Sequence, residues 1–234
     1  MGGTSYAILE SMNEVIVDGC SLSISAVVAV ARHKFPVRLD PDAELRMQAS
    51  REVVEFAVKK KQVKYGLTTG FGKFCNVIIS EEDNARLQKN LIMSHACGQG
   101  EPFAPEIVRA MMLLRANALA VGNSGVRPMV VQRILQLINE DIVPIVPEKG
   151  SLGASGDLAP LAHIALVLIG MGEALYKGAK MTGARALAEA NIQPLVLEAK
   201  EGLALINGTQ AMAALGALSV YDALLLYRSA TSAS

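Results

Sequence analysis

The chain contains no tryptophan, aromatic residues make up only 4% of it, and it has three histidines and three cysteines among 234 residues. So few aromatics exclude a core built on stacked rings and leave Ala, Leu, Val, Ile and Met to fill the interior. Net charge is also lacking, with 22 basic residues against 22 acidic ones. That balance excludes the strongly basic face of a nucleic-acid-binding protein, and no nucleic-acid partner is expected. Cys20, Cys75 and Cys97 are odd in number with no CxxC spacing, so a disulfide framework is not expected and a cytoplasmic location is. The scattered His33, His95 and His163 offer no ligand spacing for a metal. An apolar run from Leu158 to Met171 is interrupted by Pro160 and His163 and is too short for a bilayer, so no membrane partner is expected. The N-terminal MGGTSYAILESMNEVIVDG lacks the charged-then-apolar order of a signal peptide, and its Met-Gly start is a weak match to a myristoylation signal.

What the chain has in quantity is aliphatic surface. Hydrophobic residues reach 51% and mean hydropathy is +0.34. This Ala- and Leu-rich composition predicts packed helices, and the apolar surplus predicts burial between subunits of a homo-oligomer. Val15-Ile16-Val17 reads as a short strand before a turn, with Ser21 or Ser23 capping a helix to about His33. Asp40-Pro41-Asp42-Ala43 combines a cap, a first-turn proline and an acidic start, predicting a helix to about Lys61. Further helices are predicted at 81–97, 104–121, 127–140, 157–171, 182–190 and 203–229, with a hairpin turn at Tyr176–Lys180 and a break at Pro144 and Pro147. The fold class is therefore all-α, a helical bundle with minor short β hairpins, in a single domain over 1–234. The apolar helix at 211–228 needs covering, either by neighbouring subunits or by more of a longer protein.

Directly before the apolar run stands GSLGASGDLAP, residues 150–160, three glycines and two serines beside one carboxylate. It is not a nucleophile elbow, because Asp157 fills the place that G-x-S-x-G gives to glycine. YGLTTGFG at 65–72 lacks the G-K-[ST] ending of a phosphate loop, and its glycines fit close backbone approach to a ligand. Two readings of Ala154-Ser155-Gly156 remain. One is a glycine-rich loop with Asp157 capping the next helix. In the other the Gly156 nitrogen attacks the Ala154 carbonyl carbon, two waters leave, and Ser155 becomes an exocyclic methylidene on an imidazolone, an electrophile that unmodified side chains do not provide.

Four motifs decide between them by their company: YGLTTGFG, LQKNLIMSHACGQGEP (87–102), GSLGASGDLAPLAH (150–163) and KEGLALINGTQ (200–210). In this order, from about residue 12 to the C-terminus, the chain closely resembles the aromatic amino acid ammonia-lyases. The resemblance implies a helical subunit of the ammonia-lyase, fumarase–aspartase-like type, assembled as a homotetramer. It also implies the prosthetic group 4-methylideneimidazole-5-one (MIO), made autocatalytically from Ala154, Ser155 and Gly156, with no metal or nucleotide. Carried over by motif, Tyr65 is the proton-transfer residue, Gly72 lines the pocket, and Asn207 bonds the prosthetic group or substrate. Gln210 supports that network, and Asp157 assists cyclisation or orients the loop. Taken singly, each has a plainer reading: a loop tyrosine, a turn glycine, a helix cap. His95 stands where the family reads the substrate ring; a polar residue there suits an imidazole or phenol, and its surroundings resemble the histidine-specific members. His163, inside the apolar helix, reads as a core histidine, and His33 as a surface one.

The implied reaction is loss of ammonia from a small amino acid, L-histidine giving trans-urocanate, with tyrosine or phenylalanine ammonia-lyase or aminomutase chemistry as the alternative. Family chains are about twice as long, and their later half carries further catalytic residues. A fragment or short form of 234 residues is therefore expected to be poorly active on its own. A non-catalytic homologue or assembly subunit, its Ala-Ser-Gly uncyclised, is the alternative of another class.

Overall fold

The computed structural model describes residues 13–60, 81–152 and 158–233. Strand β1 (Val15–Val17) lies parallel to β2 (Val37–Leu39), with Val15 opposite Val37. Helix α1 (Ile24–His33) connects them, its N-terminus capped by Ser23, whose hydroxyl accepts from the Ala26 amide at 3.2 Å. Asn139 seals β2 by bonding both backbone groups of Val37, at 2.9 Å each. The sequence predicted β1 alone; its partner was missed because three residues carry too little alternation to read.

Helix α2 (Pro41–Lys59) starts as predicted, with the Asp40 carboxylate accepting from the Ala43 amide at 3.2 Å and Pro41 in the first turn. Helices α3 (Glu81–His95), α4 (Pro105–Ala120) and α5 (Pro128–Asn139) follow. Then come α6 (Leu158–Leu168), α7 (Gly183–Glu189), α8 (Glu201–Ile206) and α9 (Gln210–Ala233). The fold class is all-α, as expected, with short strands added at the edges. Strand β3 (Gln99–Pro102) pairs antiparallel with β5 (Pro147–Lys149). Strand β4 (Val143–Pro144) pairs with β6 (Glu173–Tyr176), which forms a hairpin with β7 (Ala179–Thr182). Lys177 and Gly178 turn that hairpin with φ of 51° and 77°, the positive pair that a two-residue turn requires.

Helix α4 is the hub. It packs on α1, α5 and α9, and buries Met111, Met112, Leu113, Ala116 and Leu119 completely. The core is aliphatic from Val15 to Leu218, each fully buried Leu, Ile, Val or Met contributing about 1.5–3 kcal/mol.

One expectation needs correction. The predicted helix 203–229 is two helices, because the chain leaves helical geometry at Asn207 (φ −88°, ψ 94°) and resumes at Gln210. Asn and Gly are poor in helix interiors, and Asn207-Gly208 places both together. The stretch Glu201–Ala233 is long and apolar enough to cross a bilayer by length and composition. The first part of α9 packs on α4 and α1, and Asp222 pairs with Arg32, the Oδ2–Nη2 distance being 2.7 Å. Its later turns leave Leu226 and Tyr227 about 70% exposed (72% and 70%).

Candidate active site

Three helices pack on one another, and each meets a motif residue at one end. Helix α3 ends at His95, α8 ends at Asn207, and α6 begins just after Asp157. Tyr65, Gly72, Ala154, Ser155, Gly156 and Asp157 lie outside the described residues. Their neighbours do not. Gly150 and Leu152 before the Ala-Ser-Gly segment, and Leu158 and Ala159 after it, line one cavity together with His95 and Cys97, of about 240 Å³. The described residues that flank the segment on either side thus share one cavity wall with His95. Asn207 and Gln210 do not line that cavity. A larger cavity of about 350 Å³, walled by Arg51, Glu55, Lys59, Asn84 and Glu198, holds no motif residue among the described residues.

His95 is oriented by its own helix. Its Nδ1 lies 2.8 Å from the Leu91 carbonyl, four residues back, and 3.1 Å from Ser94 Oγ. A carbonyl oxygen only accepts, so in the neutral ring Nδ1 carries the hydrogen and Nε2 keeps its lone pair for a ligand. His163 differs from the core residue expected. It is half-buried, and its Nε2 accepts the Gly98 amide at 3.1 Å, so it ties the strand-like segment after His95 to helix α6. Burial holds the His163 imidazole below its ordinary pKa of 6.5, which favours the neutral ring that this acceptor role needs.

The Asn207 end is held from farther away. Glu201, fully buried at the start of α8, receives Arg127 through Nε at 2.8 Å and Nη2 at 2.7 Å. Gln88, buried on α3, accepts the Gly202 amide at 2.9 Å and donates to Asn84 Oδ1 at 3.1 Å. Gln88 belongs to the same LQKN motif as the helix that ends in His95, so one motif bridges both ends of the site. Sequence reading missed Gln88, Arg127 and Glu201. Only Gln88 and Glu201 stood inside motifs, LQKN and KEGLALINGTQ, where they could have been noticed.

Known proteins match this arrangement. The aromatic amino acid lyase family matches residues 22–234. The chain belongs to that family. Among curated members, histidine ammonia-lyase of Caldanaerobacter subterraneus subsp. tengcongensis is 58% identical over 212 residues, covering 91% of this chain and 42% of the relative. Histidine ammonia-lyase of Alkaliphilus metalliredigens is 54% identical, with 90% and 42% covered. Of solved lyase-family structures, tyrosine aminomutase from Streptomyces globisporus superposes with a TM-score of 0.85 at 44% identity, covering 90% of this chain and 40% of that one. Histidine ammonia-lyase from Trypanosoma cruzi does so with a TM-score of 0.83 at 40% identity, covering 89% and 40%. The chain thus spans about 42% of the length of the curated aromatic amino acid lyases it matches.

Proposed function

We propose that the protein is an ammonia-lyase that converts L-histidine to trans-urocanate, with the MIO group formed from Ala154, Ser155 and Gly156. The observation that carries this reading is His95 on the wall of the cavity that is also lined by the residues flanking the Ala-Ser-Gly segment, Leu152 and Leu158. The histidine ammonia-lyases matched over nine-tenths of the chain support it.

Gly150 and Ala159, on either side of the Ala-Ser-Gly segment, line the same cavity as His95 and pack closely enough that a Cβ at Gly150 would meet Gly98 and Ala159. The group supplies an electrophile that turns the substrate's amine into a better leaving group. The chain's own residues do the rest. His95, with Nδ1 committed to Leu91, presents Nε2 as an acceptor for an imidazole N–H. The Asn207 amide, exposed at the end of α8, offers a donor and an acceptor to the prosthetic group or the substrate. Tyr65 takes the β-proton, which requires a phenol pKa well below the usual value of about 10. Gly72 shapes the pocket, Gln210 backs Asn207, and Asp157 orients the segment for cyclisation.

The protein works as a homo-oligomer, a tetramer by resemblance, with the exposed apolar turns of α9 as one surface that assembly would cover. A chain of these 234 residues alone turns over poorly, since the relatives are more than twice as long. The superposition on a tyrosine aminomutase favours a second reading, tyrosine as substrate, because Nε2 of His95 would accept a phenol hydroxyl as well. Purified natural protein, assayed by ultraviolet absorbance with L-histidine, L-tyrosine and L-phenylalanine, separates them. Urocanate formation that Ser155→Ala abolishes supports the proposal. Activity confined to tyrosine, or histidine turnover that survives Ser155→Ala, rejects it.

A further inference from the structure

Arg115, on α4, is 6% exposed and sits against the break between α8 and α9. Its Nη2 donates to the Ala204 carbonyl before the break, and its Nη1 donates to Gln210 Oε1 after it, at 3.0 Å. One planar guanidinium therefore spans the Asn207–Gln210 turn. A carbonyl near the end of a short helix has no intrahelical donor, and Arg115 supplies one to Ala204. Gly208 is fitted to the same contact, because a Cβ there would run into Gln210 Oε1 and Arg115 Nη1. The placement is costly. Among the described residues, Arg115 Nε has no hydrogen-bond partner, and the two bonds that the guanidinium makes go to neutral oxygens. Burial lowers its pKa to about 10, so the side chain remains a cation at neutral pH. A buried, unpaired donor is retained against its desolvation cost where its remaining bonds fix something of value.

We propose that Arg115 is a positioning residue for the lyase site, clipping the Asn207–Gln210 turn so that the Asn207 amide is fixed at the end of α8. Its two bonds go to the turn itself, and it does not line the cavity that carries His95. Its fork geometry holds the carbonyl of one helix and the side chain of the next at a fixed separation, which a single-point ammonium cannot do. The proposal rests on the lyase reading for its kinetic consequence, but not for its structural one.

The test combines hydrogen exchange with kinetics on the natural protein and its Arg115→Met, Arg115→Lys and Gln210→Leu variants. In wild type the Asn207 and Ala213 amides flank the turn, bonded to the Leu203 carbonyl at 2.9 Å and the Thr209 carbonyl at 2.9 Å. In Arg115→Met these two amides are expected to exchange at least about tenfold faster, while Ile142 and Ile169 amides in other loops keep their rates. With histidine, kcat is expected to fall about 10- to 100-fold and KM less than about threefold, because misplacement of a fixed group falls on the reacting geometry. Arg115→Lys should recover part of both, and Gln210→Leu should reproduce the exchange change more weakly. Should Arg115→Met not fold, Gln210→Leu carries both readouts.

Unchanged exchange at Asn207 and Ala213 overturns the clip. Exchange accelerated throughout the protein overturns it too, since Arg115 would then be a general core residue. Faster exchange at the turn with kcat intact overturns the positioning role. If wild type does not act on histidine, the lyase reading fails, and the exchange data still decide whether Arg115 holds the turn.

Discussion

His95 and Asn207 stand at the ends of two helices in contact, yet they are held in opposite ways. His95 is oriented by residues one and four positions back, through Ser94 and the Leu91 carbonyl, so a single helix end suffices. Asn207 is held by partners far along the chain: Gln88 bonds Gly202, Arg127 bonds Glu201, and Arg115 bonds Ala204 and Gln210. The first arrangement is local and only partly buried, and changing it is expected to cost the fold little. The second is buried and couples a site residue to core stability. Under the proposed function, the residue that reads the substrate sits on a locally held helix end, and the residue that must keep its place sits on a polar frame, so selectivity could vary without loss of the frame.

The largest expected effect tests the tolerant end. His95→Leu should lower kcat/KM for histidine about 100-fold or more, since a site built to hydrogen-bond a ring loses its partner. Its melting temperature should stay within a few degrees of wild type, because the lost contacts are local. A collapse of stability would show that His95 belongs to the frame after all.

Next comes the frame. Glu201→Ala strips the buried partner from Arg127 and should destabilise the protein by about 3 kcal/mol, measured by denaturant unfolding. A loss below about 1 kcal/mol would remove the distinction between the two ends.

His163 gives a smaller effect with a definite sign. Its folded pKa lies below the ordinary 6.5, so on acidification the unfolded chain binds the proton first. The stability it contributes is complete above pH 6.5 and declines as pH falls below that value through the folded pKa. His163→Gln should flatten the dependence of melting temperature on pH below 6.5, and an unchanged slope would contradict this. Smallest of all, Ser94→Ala removes two exposed bonds, to the Leu91 carbonyl and to His95 Nδ1, and should change stability by less than about 0.5 kcal/mol.

The same division separates what was legible in the sequence from what was not. Asp40-Pro41 and Ser23 announce their helices, and Lys177-Gly178 its hairpin, because the information lies within four residues. His95 was singled out through the family resemblance of the motif at its own helix end, and it lies on the cavity shared with the flanks of the Ala-Ser-Gly segment. The break at Asn207-Gly208-Thr209 was read as continuous helix, because apolar residues on both sides keep helical spacing across it. Asn207-Gly208 was the local signal for a break and went unweighed, while the partner that spans the opened turn, Arg115, lies 89 residues from Ala204 and 95 from Gln210, where no local pattern reports it. Glu201 and Arg127 were passed over likewise, since a charged residue in sequence looks like a surface one until its pair is seen. The parallel pairing of β1 with β2 joins segments across a whole helix and left no local trace.

The central claim is that the Ala154-Ser155-Gly156 segment becomes the electrophile of a lyase. Intact mass spectrometry of the purified natural protein tests it most directly, because ring closure removes two water molecules, about 36 Da, from the chain mass. A mass lower by that amount in wild type, with Ser155→Ala at the full mass of its own uncyclised sequence, is the predicted result. A wild-type mass equal to that of the uncyclised sequence would contradict the account.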